Sequence, residues 1–214
     1  MKKIIAIIYT LIATATMAAD VSVQQKITVF NAENKQEQFQ VKWSIADGNC
    51  RLEMLYTAQG SATTTVFLPK PAEQKMQMYV VGGENYFDVN SSAISANQKT
   101  ISNVSFTNET KKIGEYTCNK VLVSLSDGGE VEFWYTDKIN FDANKYTSLL
   151  KSNISLAALA RENKIGFPLE MIERDQRGIV NQRITFESSN TNKIESTAFQ
   201  VPANYKLYTS PNNK

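Results

Sequence analysis

The feature that most constrains this chain is a period-two stretch, Glu37 to Thr57, EQFQVKWSIADGNCRLEMLYT. Phe39, Val41, Trp43 and Ile45 alternate with Gln38, Gln40, Lys42 and Ser44. Side chains that alternate in this way belong to a strand with one face buried. Asp47–Gly48 then supplies a tight-turn signal, and Cys50, Leu52, Met54 and Tyr56 resume the alternation. Together they predict an antiparallel hairpin. Further strands are predicted at Thr63–Leu68, Met76–Val81, Tyr116–Leu125, Glu130–Thr136, Leu169–Arg174 and Ile179–Glu187. The SDGG run before Glu130 is a second hairpin turn. Strands linked by turns this short make an antiparallel meander, with one face that needs cover.

One segment, Asp142 to Lys164, has a different period. Tyr146, Leu149, Leu150, Ile154, Ala157 and Ala158 recur at helical spacing. Asp142 is placed to cap its start, and Gly166 and Pro168 to stop it. Ser152 and Asn153 are the place where it would divide. The fold class that follows is α+β: a twisted antiparallel sheet with one helical segment lying across it and burying its stripe on the sheet's open face.

The N-terminus predicts export. Lys2 and Lys3 precede an apolar run, Ile4 to Ile12, and small residues lead to Ala18 and Ala19. That order is a secretory signal peptide, residues 1–19, and the run is short of the ~20 residues a bilayer span requires. The expected mature chain is a single β-rich domain, 20–209, with a loose tail, 210–214, no transmembrane segment and a periplasmic or secreted location. No cysteine follows the signal directly, so lipid attachment there is not expected. The whole chain has 23 basic and 21 acidic residues. Without Lys2 and Lys3 the two balance, which argues against nucleic acid and anionic membranes as partners.

Catalytic signatures are missing. There is no histidine, which removes Ser–His and Cys–His dyads and the commonest zinc ligand. Gly82–Gly83 and Gly128–Gly129 fit no nucleotide-binding fingerprint. The remaining acid/base candidates, Glu130, Glu132, Glu170, Glu173 and Asp175, are expected to be solvated strand and turn charges. No catalytic residue, metal or cofactor is expected. Sequons at Asn90, Asn103, Asn108 and Asn153 are read as unmodified surface positions.

Cys50 and Cys118 are the only cysteines. An even count in an exported chain favours a Cys50–Cys118 disulfide, with two separate buried thiols as the competing expectation.

Four further stretches, KKIGEYTCNKVLV (Lys111–Val123), GGEVEFWYT (Gly128–Thr136), GFPLEMIERDQRG (Gly166–Gly178) and AFQVPANYK (Ala198–Lys206), carry a family resemblance. Over roughly Lys111 to Lys206 the chain resembles domain-of-unknown-function family 4412, which is similar to the LolA/LolB-like periplasmic group. The resemblance implies a strongly curved half-barrel closed by helices, and in lipoprotein carriers of that fold the space between sheet and helix holds acyl chains. The chain departs from those carriers in having no clear carrier motif. Strand methionines and aromatics suit such an apolar space. Its expected lining is Trp43, Met54, Met78, Phe133, Tyr135, Leu149, Leu150 and Ile154. The expected function is a non-enzymatic binding protein for a lipid, lipoprotein or other apolar ligand. The alternative is an envelope interaction module with a filled core.

Overall fold

The computed structural model describes residues 20–31, 35–58, 60–90, 99–146, 149 and 153–209. The expected signal peptide, residues 1–19, and the expected tail, residues 210–214, lie outside these. Twelve strands form one sheet: β1 Val21–Phe30, β2 Gln36–Ala46, β3 Asn49–Ala58, β4 Ser61–Lys70, β5 Lys75–Val80, β6 Asn85–Asn90, β7 Ile101–Ile113, β8 Tyr116–Leu125, β9 Glu130–Thr136, β10 Phe167–Arg174, β11 Val180–Asn190 and β12 Lys206–Leu207. Their order is β12-β6-β5-β4-β3-β2-β1-β11-β10-β9-β8-β7. Two antiparallel meanders, β1–β6 and β7–β11, are therefore joined where β1 pairs with β11. Only the short β12 runs parallel to its neighbour, β6.

Chain length enforces curvature. Ten inter-strand steps separate β6 from β7, about 48 Å across a flat sheet. The chain has eleven residues to travel from Asn90 to Ile101, at most about 39 Å of extended backbone. The two ends of the sheet must bend toward each other. The result is an open, curved antiparallel sheet: the alternation predicts its strands, and the family resemblance its curvature.

The predicted hairpin is present as β2–β3, with Trp43 opposite Leu52 and Ile45 opposite Cys50. Its turn places Asp47 at φ 48° and Gly48 at φ 72°, the left-handed pair that Asp-Gly suits. Four strands go beyond the sequence expectation: β1, β6, β7 and β12.

Within the expected helical segment Leu149 is helical, and Asn153 stands outside the helix that follows it. Asp142 does cap, but it caps a 3-10 turn, Ala143–Lys145, by accepting from the Asn144 amide. The helix α1 is Ile154–Arg161, and Asn153 caps it by accepting from the Leu156 amide at 3.0 Å. An Asn side chain bonds its own backbone readily, so it ends one turn and starts the next rather than lying inside a long helix.

The face that α1 covers is called inner here. Leu156, Ala158 and Leu159 of α1 are fully buried. Ala158 and Leu159 pack with Val121, Val123, Val131, Phe133, Tyr135, Met171 and Ile184. A second part of the inner core joins Val23, Trp43, Ile45 and Cys50 to Phe141, Tyr146, Leu149 and Phe167. Phe141 lies edge-on to Trp43 and stacks on Tyr146, and the Tyr146 hydroxyl donates to the Gly48 carbonyl. The 139–146 segment is thereby pinned across the end of β2 and the turn into β3.

The outer face of β3–β6 has its own cover. Val66, Leu68 and Tyr79 form a small core with Tyr86, Val201 and Tyr205. Arg51 donates to the Ala198 carbonyl and Lys70 to the Phe199 carbonyl, fixing the C-terminal segment there.

The expected disulfide is corrected: both thiols are free and buried. Cys50 is on β3 and Cys118 on β8, six strand positions apart. Each cysteine packs as a small apolar residue, and both belong to the core cluster that holds Trp43, Phe141 and Phe167.

Candidate functional site

Cross-strand register builds one continuous row on the inner face. Trp43 lies opposite Leu52, Leu52 opposite Phe67, Phe67 opposite Met78 and Met78 opposite Phe87. The adjacent rows add Val41, Met54, Thr65 and Val80 on one side, and Pro69, Met76 and Val89 on the other. Side chains opposite one another on one face touch, so these rows make a wall.

The wall has no charge. Every Lys, Arg, Asp and Glu of β3–β6, namely Arg51, Glu53, Lys70, Lys75 and Asp88, sits at positions of the other parity. On the outer face Arg51 meets Glu53 at 3.0 Å and Lys75 meets Asp88 at 2.8 Å.

The wall is also open. Trp43 at its inner end is buried, while Leu52, Met54, Phe67, Met76, Met78 and Val89 are half-buried. At the far end Val80 is 41% and Phe87 37% exposed. Phe87 is extended by the Tyr208 ring, centroids 5.1 Å apart. Soluble proteins rarely leave a contiguous apolar face uncovered unless something binds it. Beyond the wall, a cleft of about 330 Å³ opens at the end of the inner face, between the β2–β3 turn and Phe141–Tyr146, with Asp47, Asp142 and Lys145 at its rim.

The residues expected to line a cavity divide into groups. Trp43 and Leu149 belong to the packed inner core, with Met54 half-buried against it. Phe133 and Tyr135 lie under α1, with Ile154 half-buried beside them. Phe133 is fully buried, so it faces packed side chains. Met78 is on the open wall, two strands beyond Met54. Leu150 lies outside the described residues. Sequence reasoning missed Leu52, Phe67 and Phe87, which join Trp43 to Met78. Leu52 and Phe67 were inside predicted strands, but the register linking them was not.

Four of the five carboxylates considered for catalysis are held in ion pairs, and Glu130 is exposed. Glu170 accepts from Lys111 and Glu173 from Lys99, each at 2.6 Å, and Glu132 pairs with Lys120 at 3.5 Å. Lys111 also lies over the Trp134 ring at 4.4 Å. Burial works to raise the Asp175 carboxyl, but bonds from Arg177 and from the Ile179 amide hold it below the usual range. A general acid requires the opposite shift. Among the described residues no group of three or more His, Cys, Asp or Glu could hold a metal ion.

Residues 26–205 match the model of a domain of unknown function, DUF4412. The chain belongs to that family. Among solved structures it is similar to an uncharacterized conserved protein from Thermus thermophilus, at 10% identity and a TM-score of 0.52, covering 89% of this chain and 90% of that one. It is also similar to a LolA superfamily protein from Nitrosomonas europaea, at 8% identity and a TM-score of 0.38, over 86% and 91%. MucB in its complex with MucA from Pseudomonas aeruginosa matches at 11% identity and a TM-score of 0.45, over 89% of this chain and 58% of that one. The first of these shares the fold. The other two superpose too loosely to add an argument. No curated protein matches the sequence.

Proposed function

We propose that this DUF4412 protein is an exported binding protein of the cell envelope that takes an apolar ligand, such as an acyl chain, on the inner wall of β3–β6. The single observation behind this reading is the row Trp43–Leu52–Phe67–Met78–Phe87, open to solvent yet without a charge on its face. A chain laid along it leaves water at about 0.8 kcal/mol per buried CH₂. Half-buried methionines let the wall adapt to chains of different shape. No described helix is long and apolar enough to cross a membrane. The export signal at residues 1–19 belongs to the same proposal.

A second reading rests on the packed space under α1. With Leu156, Ala158, Leu159 and Phe133 fully buried, the inner face is filled beneath α1 and offers an open wall only on β3–β6. An apolar segment of an envelope protein would fit the same surface.

A fluorescent fatty-acid titration tests the first reading. The wild type should bind saturably. Met78→Gln places an amide in the middle of the row and should weaken binding about tenfold, ~1.4 kcal/mol, with an unchanged circular dichroism spectrum. Absence of saturable binding by the wild type sinks the lipid reading and leaves the protein partner.

A further inference from the structure

Four methionines lie among the described residues, and the fold divides them unequally. Met54, Met76 and Met78 are half-buried, and the pairings Pro69–Met76 and Phe67–Met78 put the two β5 methionines on the wall. Met54 joins the same face through Thr65, which lies opposite both Met54 and Val80. Met171 is on the inner face as well, but it lies beneath α1 and is 3% exposed. Aside from the methionines, the wall consists of aliphatic, aromatic, threonine and proline side chains, which mild oxidants leave alone.

We propose that Met54, Met76 and Met78 form a reversible oxidation site that closes the wall to apolar matter. The inference rests on the binding role proposed above for this face. The oxidant is a peroxide. A thioether lone pair attacks the terminal oxygen of hydrogen peroxide, the O–O bond breaks, and the sulfur leaves as a sulfoxide while water carries off the other oxygen. Sulfur is oxidised by two electrons and the peroxide reduced by two. The sulfoxide is polar and chiral, and methionine sulfoxide reductases reverse it. The three changed positions lie on β3 and β5, in a face with no charge and no other strongly polar group to oppose them. An apolar ligand would then have to displace water from three S=O dipoles. Met171 is shielded, so the core beneath α1 keeps its packing while the wall changes.

The test uses the full mature chain and hydrogen peroxide. Tandem mass spectrometry at increasing exposure should find Met54, Met76 and Met78 converted well before Met171. Retention on an octyl resin should fall in parallel, and fatty-acid affinity should drop about tenfold. A mixture of the two sulfoxide reductases should restore both. Replacing all three methionines with leucine, which keeps volume and apolarity, should make retention insensitive to peroxide. The proposal is overturned if Met171 oxidises first, if the three sulfoxides form without loss of retention, or if the leucine variant loses retention equally. Octyl retention reads the wall without reference to a biological ligand. A wild type that never binds fatty acid but loses retention on oxidation would therefore refute the lipid reading and support the oxidation site.

Discussion

The indole N–H of Trp43 donates to the side-chain oxygen of Gln25 at 3.0 Å, and both residues are buried. Gln25 spends its amide hydrogens on the carbonyls of Pro168 and Leu169, at 3.0 and 2.9 Å. Those carbonyls sit where the β9–β10 register shifts between Pro168 and Glu170. The β1–β11 register also shifts, beside Gln25 itself. One glutamine thus fills the gap that two irregular ladders leave, and it holds the tryptophan at the head of the wall.

Gln25→Leu removes all three bonds and leaves the indole and two carbonyls without them in the core. An unsatisfied buried group costs ~1–3 kcal/mol, so a loss of about 3 kcal/mol is expected. Chemical denaturation with an unchanged m-value would register it. Stability within ~0.5 kcal/mol of the wild type would show that Gln25 is not the joint described.

A second expectation concerns Gly166, where the chain enters β10. Its φ is +150°, and a Cβ built there would lie 2.6 Å from the Thr136 carbonyl oxygen and 2.9 Å from the Tyr135 ring. Backbone cannot yield as a flexible side chain can. Gly166→Ala should destabilise by about 3 kcal/mol or prevent folding, as read by thermal denaturation.

How much of this was legible beforehand varies by element. The β2–β3 hairpin was readable because its alternation is unbroken and its turn uses Asp-Gly. The first strand hides its period: Gln25 stands on the buried face after Val21 and Val23, and nothing local reveals the carbonyls that satisfy it. Strand β7 is an edge strand, largely exposed and with a register shift between Phe106 and Thr110, so burial imprints little pattern on it. Of the binding wall, Met54 and Met78 could be found from composition and parity. Phe87 could not, since β6 reads Asn-Tyr-Phe-Asp-Val-Asn and only pairing with β5 gives it an apolar side.

The cysteines show the limit of counting. An even count and an exported chain favour a bridge, yet both thiols are free and buried. Burial pushes the Cys118 thiol up to about 11 and drives Cys50 higher still. Both should therefore stay protonated and resist iodoacetamide in the native protein at pH 8, then alkylate fully in denaturant without reductant. The sign for stability follows. The folded state holds these protons more tightly than the unfolded chain, so their contribution is complete below about pH 9. It falls as pH rises through about 11. A denaturation midpoint that stays flat or rises from pH 9 to 11 would contradict this.

The central claim is that the open face of β3–β6 is where an apolar ligand lies. Photo-crosslinking with a diazirine fatty acid tests it most directly, because the adduct reports position rather than affinity. The account predicts adducts on Leu52, Met54, Phe67, Met78 and Phe87, lost by competition with unlabelled fatty acid. Adducts confined to the outer-face residues Val66, Leu68 and Tyr79, or labelling that does not compete, would contradict it.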